Sequence, residues 1–205
     1  MNRKRYYLAH IISIIFIPLF IPVYLFALLL FGFPVLAGNI AQPATLLAEI
    51  ALITVAIPFV LFFALYKLRI ISSFTLNARR DRFIPQLFTL LAYVVMLGLL
   101  IRNGYSIYLR NIMLANVVLT FIVTAITLRW KISAHSSGIA GIMGAMTVLL
   151  FKSPPEHYAV WYAFGWCCFF AVSASRLYLR VHSPMQVFAG ILLGGSIGTS
   201  AILLI

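Results

Sequence analysis

Two histidines stand beside basic side chains at separate places in this chain, in a pattern that suits chemistry on phosphate. His182 follows Arg176 in the segment 175–186, and His135 follows Lys131 in the segment 131–138. One imidazole can attack phosphorus and the other can protonate the leaving oxygen, because imidazole titrates near neutral pH. Cations stabilise the charge on the phosphoryl oxygens. These residue types indicate phosphoryl transfer.

The segment 175–186 also predicts the start of a helix. Ser183 has the preferred type for an N-cap, Pro184 suits the first helical position, and Gln186 can complete a capping box. His182 would then precede a helix N-terminus, where backbone N–H groups and the helix dipole favour an anion.

A third polar cluster occupies residues 79–85 and contains Arg79, Arg82 and Pro85. Two apolar runs separate it from the segment 131–138, and two more separate that segment from 175–186. An even number of membrane crossings returns the chain to the same face. The three clusters are therefore predicted to emerge on one side of a membrane and to meet in one site.

Composition makes the chain an integral membrane protein. Of its 205 residues, 64% are hydrophobic and only 9% are charged. Spans of about 20 apolar residues predict an all-α, multi-pass transmembrane helical bundle with six or seven spans, seven being favoured. With no linker or low-complexity segment, residues 1–205 are predicted to form a single domain. The predicted spans are 9–31, 46–66, 86–101, 111–128, 138–151, 158–174 and 187–205.

The basic balance of the chain indicates a membrane surface as its partner. The net charge is +12, and because the cations border apolar spans, anionic membrane lipids are expected to bind rather than nucleic acid. Seven spans with the N-terminus inside leave only Arg102, Arg110 and Lys152 of the 15 Lys and Arg on the outer side. This bias predicts a cytoplasmic site in the plasma (inner) membrane.

Cysteine and glycine residues are expected to serve packing. The adjacent Cys167 and Cys168 lie in an apolar run, and no Cys/His spacing predicts a metal site. Gly190, Gly194 and Gly198 recur every four residues, a stripe that lets helix backbones approach closely. Glycine-rich faces of this kind also predict a homo-oligomer.

The three clusters together resemble the signatures of the type-2 phosphatidic acid phosphatase family, membrane lipid phosphatases related to the vanadium haloperoxidases. Ser175-Arg176, five residues and then His182 is the spacing of its third signature. Ile132-Ser133-Ala134-His135 is similar to the second, Pro-Ser-Gly-His. The segment 79–85 keeps the arginine and the proline of the first signature, although they are not adjacent. Gln186 stands where the family usually has an aspartate.

The resemblance implies a role for each residue. His182 would be the nucleophile that forms a phosphohistidine, and His135 the general acid for the leaving group. Gln186 would orient His182 without the charge of an aspartate, so slower chemistry, a different substrate or a lost activity is expected. No metal or other cofactor is implied. The phosphate would be held by Arg176, Ser133 and Arg82, with Arg79 and Lys131 as weaker candidates for the family's lysine.

Two functions of different classes follow. The first is a metal-independent hydrolase that removes a phosphate monoester or diphosphate from a lipid. The alternative is a non-catalytic lipid-binding or transport-type membrane protein that keeps the phosphatase fold. Phosphatidic acid, phosphatidylglycerol phosphate, a polyprenyl diphosphate and a lipid A phosphate are equally compatible with the sequence.

Overall fold

The computed structural model describes residues 3–72, 80–152 and 158–205. These ranges contain helices and connecting turns and no strand, which confirms the all-α prediction. The helices are α1 (Arg3–Ile15), α2 (Ile21–Ala27), α3 (Pro34–Ala37), α4 (Pro43–Ala51), α5 (Ile57–Lys67), α6 (Phe83–Arg102), α7 (Ile107–Thr127), α8 (Ala134–Lys152), α9 (Tyr158–Tyr178) and α10 (Pro184–Leu203).

Six helical segments in these ranges are long and apolar enough to cross a membrane, which confirms a multi-pass membrane protein. The first comprises α1, a 3₁₀ turn (Pro18–Phe20), α2 and a π-type turn (Leu28–Gly32). The second comprises α4, another π-type turn (Leu52–Ala56) and α5. The remaining four correspond to α6, α7, α8 and α10. Helix α9 has 21 residues but is not one of the six, so a seventh span stays a prediction.

The two shortest predicted spans, 86–101 and 138–151, lie in helices long enough to cross a membrane. The runs 86–101 and 138–151 lie in α6 and α8, which contain 20 and 19 residues. Both helices continue into polar residues at their ends, since Arg102 and Lys152 close their last turns. Hydropathy alone marks the apolar middle of a span, whereas backbone hydrogen bonding carries the helix further.

The chain divides into two compact units, residues 1–21 with 131–205 and residues 22–130. In the first unit, α8 packs on α10 and α9, and α1 packs on α9. The glycine stripe of α10 faces α8: a Cβ on Gly194 would overlap the backbone of Ser137, and one on Gly198 that of Gly141. The stripe therefore serves the close approach of α8 and α10 within the chain.

In the second unit, α6 and α7 form a hairpin. The side chain of Ser106 caps α7 by accepting from the backbone N–H of Leu109. Five buried Thr and Asn side chains of this unit donate to backbone carbonyls four residues earlier, which satisfies these donors inside an apolar interior. These side chains are Thr54, Thr89, Asn116, Thr124 and Thr127. The prediction of a single domain remains a prediction.

Candidate functional site

The start of α10 has the predicted capping geometry. Ser183 is the N-cap and Pro184 occupies the first turn. The Ser183 hydroxyl accepts from the backbone N–H of Gln186 at 3.3 Å, and the Gln186 amide oxygen accepts from the backbone N–H of Ser183 at 3.1 Å. The capping box is therefore confirmed. It orders the short connection between α9 and α10 that carries His182.

The same amide oxygen of Gln186 also holds His182. Nδ1 of His182 lies 3.2 Å from Gln186 Oε1. Because an amide oxygen only accepts hydrogen bonds, Nδ1 must carry the proton in this pair. The neutral ring then has its lone pair on Nε2, the nitrogen that a nucleophilic imidazole uses. The two interpretations of Gln186 are thus compatible, since one oxygen closes the capping box and orients the histidine.

Arg176 lies at the C-terminal end of α9 and belongs to a directed chain of hydrogen bonds. Its Nη1 donates to the hydroxyl of Ser13 at 2.9 Å, and that oxygen lies 3.2 Å from the hydroxyl of Ser175. The Ser175 hydroxyl donates its only proton to the carbonyl of Val172 at 2.7 Å. Ser13 must therefore donate to Ser175. The hydrogen bonds thus lead from Arg176 through the hydroxyls of Ser13 and Ser175 to the carbonyl of Val172. All three polar side chains are buried.

His135 lies in the first turn of α8 and contacts the same residue of α1. Its Nε2 is 3.2 Å from the backbone carbonyl oxygen of Ser13, so this nitrogen donates. The carbonyl is in the last turn of α1, where carbonyl groups lack intrahelical partners. His135 therefore satisfies a carbonyl at a helix terminus, and its side chain is half-buried.

Ser133 immediately precedes α8 and is fully buried. Its hydroxyl accepts from the backbone N–H of Ser136 at 3.3 Å and lies 2.9 Å from the Ser136 hydroxyl, which are the contacts of a helix cap. Its backbone N–H donates to the carbonyl of Gln186 at 3.2 Å. This bond joins the first turns of α8 and α10, so two of the three predicted clusters meet in one unit.

The remaining predicted phosphate ligands are placed differently. Lys131 is half-buried in the turn before α8 and belongs to the same unit as the histidines. Arg82 is 8% exposed, ends a 3₁₀ turn (Arg80–Arg82) and belongs to the other unit. Arg79 lies outside the described residues. Contact of the cluster 79–85 with the other two stays a prediction.

Ser13 is the residue that sequence reasoning missed. Its hydroxyl and carbonyl join Arg176 and His135 to α1, although it stands in an apolar run with no motif around it. The available signal was weak: a serine among apolar residues, which needs a hydrogen-bond partner when it is buried. Only the packing of α1 on α9 reveals which partner it has.

The electrostatics of this unit favour an anion. Its described ranges contain no Asp or Glu side chain, because Glu49 and Asp81 belong to the other unit and Glu156 lies outside the described residues. The charged and titratable side chains that this unit does contain include Arg176, Lys131, His135 and His182, which are cationic or can become so. Among the described residues, no three His, Cys, Asp or Glu side chains gather in a way that could hold a metal ion.

The chain was compared with protein families, curated proteins and solved structures. No protein family, no curated protein and no solved structure matches the chain.

Proposed function

We propose that the chain is a metal-independent lipid phosphatase of the type-2 phosphatidic acid phosphatase kind. The observation that carries the proposal is the hydrogen bond of 3.2 Å between His182 Nδ1 and Gln186 Oε1. It fixes the tautomer with a lone pair on Nε2, as a nucleophilic imidazole requires. The Ser175-Arg176 pair at the matching spacing and the basic character of the unit support the same conclusion.

In the first step, the lone pair of His182 Nε2 attacks phosphorus and forms a P–N bond. The P–O bond to the lipid breaks, and the leaving oxygen takes a proton from His135, acting as general acid. Arg176 holds the equatorial oxygens of the phosphate equally in the bound substrate and in the transition state. Gln186 keeps the ring oriented but contributes no negative charge to the imidazolium that forms.

In the second step, water hydrolyses the phosphohistidine. His135, now neutral, takes a proton from the water, whose oxygen attacks phosphorus. The P–N bond breaks, its electron pair returns to Nε2, and inorganic phosphate leaves. The two histidines end the cycle in their starting protonation states, so no cofactor is consumed.

The substrate proposed for this site is a phosphate monoester or diphosphate on a lipid. In a membrane-spanning bundle the tail would lie along the helices and the head group at their basic ends. Anionic membrane lipids are the proposed surroundings, and the positive-inside bias supports the cytoplasmic face of the plasma membrane. A homo-oligomer remains untested, and the glycine stripe of α10 does not support it because α8 occupies that face within the chain.

The direct test is phosphate release by purified protein from a panel of lipid phosphates. We expect wild type to release phosphate from at least one lipid, and His182→Ala to lose that release almost completely. Alkaline quenching should also trap an acid-labile phosphoryl group on wild type and none on the variant. Equal release by both proteins on every lipid would overturn the proposal.

The second candidate is a non-catalytic lipid-binding or transport-type protein with the same site. The observation that favours it is that Ser133 is fully buried and engaged as a helix cap, a structural role that needs no phosphate. Such a protein would bind orthovanadate or a lipid phosphate without forming a phosphohistidine. Saturable binding by a wild type that releases no phosphate would select this function.

A further inference from the structure

We propose that Ser13 of α1 is a positioning residue that sets the geometry of the phosphate-binding arginine, so that the first helix is part of the site. The inference rests on the proposed function, in which Arg176 holds the phosphate. The supporting juxtaposition is the convergence of Ser13, Ser175 and Arg176, all at most 7% exposed, with His135 on the same residue of α1.

The direction of the hydrogen-bond chain gives Ser13 its role. Since Ser175 donates to Val172, the Ser13 proton points at Ser175 and its oxygen lone pairs face Arg176 Nη1. A hydroxyl that is itself donating is a better acceptor, because successive hydrogen bonds polarise one another. This series of hydrogen bonds therefore holds Nη1 of the Arg176 guanidinium in place. The planar guanidinium has a geometry that suits bidentate contact with phosphate.

The position of Ser13 inside an apolar span explains why its hydroxyl contacts α9. A serine hydroxyl buried inside an apolar span cannot hydrogen-bond to water, so partners within the protein are favoured. Ser13 finds them on α9, and the neighbouring serine of α9 is not equivalent. The hydroxyl of Ser173 is buried and has no hydrogen-bond partner among the described residues. Ser173 is therefore a matched control from the helix that carries Arg176.

The two polar groups of Ser13 serve different side chains, so they can be separated. The hydroxyl contacts Arg176, whereas the backbone carbonyl accepts from His135. Replacing Ser13 by alanine removes the first contact and keeps the second. The expected defect is therefore in phosphate binding and not in proton transfer to the leaving group.

The experiment compares steady-state kinetics on the best lipid phosphate for wild type, Ser13→Ala, Ser13→Thr and Ser173→Ala. We expect Ser13→Ala to raise KM about tenfold or more, as loss of a hydrogen bond to a charged group would, with kcat within about twofold. Ser13→Thr should restore KM to near wild type because it keeps the hydroxyl. Ser173→Ala should match wild type.

Two outcomes of these kinetics overturn the inference. The first is an unchanged KM for Ser13→Ala, and the second is a parallel loss of kcat that Ser13→Thr does not repair. A further check uses Arg176→Met, in which the arginine contact is gone. Adding Ser13→Ala to Arg176→Met should change KM less than about twofold, whereas an additive tenfold rise would contradict action through Arg176.

Orthovanadate binding separates this inference from the proposed function. If wild type is inactive on every lipid, the proposed function fails, and Ser13 is then judged by orthovanadate affinity alone. We expect Ser13→Ala to weaken that affinity about tenfold relative to Ser173→Ala. Equal affinities of the two variants, or no binding by wild type, would overturn the role of Ser13.

Discussion

Gln186 Oε1 lies 3.2 Å from Nδ1 of His182 and joins the first turn of α10 to the proposed nucleophile. The same oxygen accepts from the backbone N–H of Ser183 at 3.1 Å. One uncharged acceptor thus shares its lone pairs between a helix cap and an imidazole. A carboxylate in this place could do both and would in addition stabilise the cationic ring.

Gln186→Glu is therefore expected to raise kcat about tenfold, because hydrogen bonds to an ionised acceptor are roughly twice as strong as neutral ones. Gln186→Ala should lower kcat, since it releases the ring of His182. The measurement is the initial rate of phosphate release at saturating lipid phosphate. Ser183→Ala is the control: it removes a capping contact worth about 1 kcal/mol and should leave kcat within about twofold. A lower kcat for Gln186→Glu would contradict the orienting role.

His135→Gln tests the general acid. With a lipid phosphate, whose alkoxide leaves poorly, we expect kcat to fall about 10²- to 10⁴-fold. With 4-nitrophenyl phosphate, whose leaving group needs no proton, the first equivalent of nitrophenol should still appear in a rapid burst. Stopped-flow absorbance measures that burst. An equally slow first turnover on both substrates would remove His135 from proton transfer.

Gly194→Ala tests the packing that holds α8 against α10. The added Cβ would overlap the backbone of Ser137, so we expect a loss of stability of about 1–3 kcal/mol or more. Gly195→Ala is a matched control on the same helix, because among the described residues no atom outside the adjoining turns of α10 lies within 4 Å of its Cβ position. Thermal unfolding in detergent measures both variants. Equal melting temperatures would show that α8 and α10 do not approach each other this closely.

The sequence predicted those features that depend on neighbouring residues. Long apolar runs predicted the helices, because a backbone in hydrocarbon must satisfy its own hydrogen bonds. Ser183, Pro184 and Gln186 predicted the start of α10, because a capping box closes within four residues. The residue types at positions 135, 176 and 182 predicted an anion site. Arginine and histidine can bind an anion, and in a chain with few charged residues their occurrence beside apolar spans indicates a function.

Only the tertiary structure decided which distant residues complete the site. Ser13 and Ser175 are 162 positions apart, and no periodicity predicts that α1 packs on α9. The sequence also did not predict which helix packs on the glycine stripe of α10, since a face of small residues fits any backbone that approaches it. In the structure that helix is α8. Ser133 was predicted as a phosphate ligand from its motif alone, whereas its burial and capping contacts arise from how α8 begins. Hydrogen-bond direction and helix pairing depend on which segments meet, and distant segments meet only after the chain has folded.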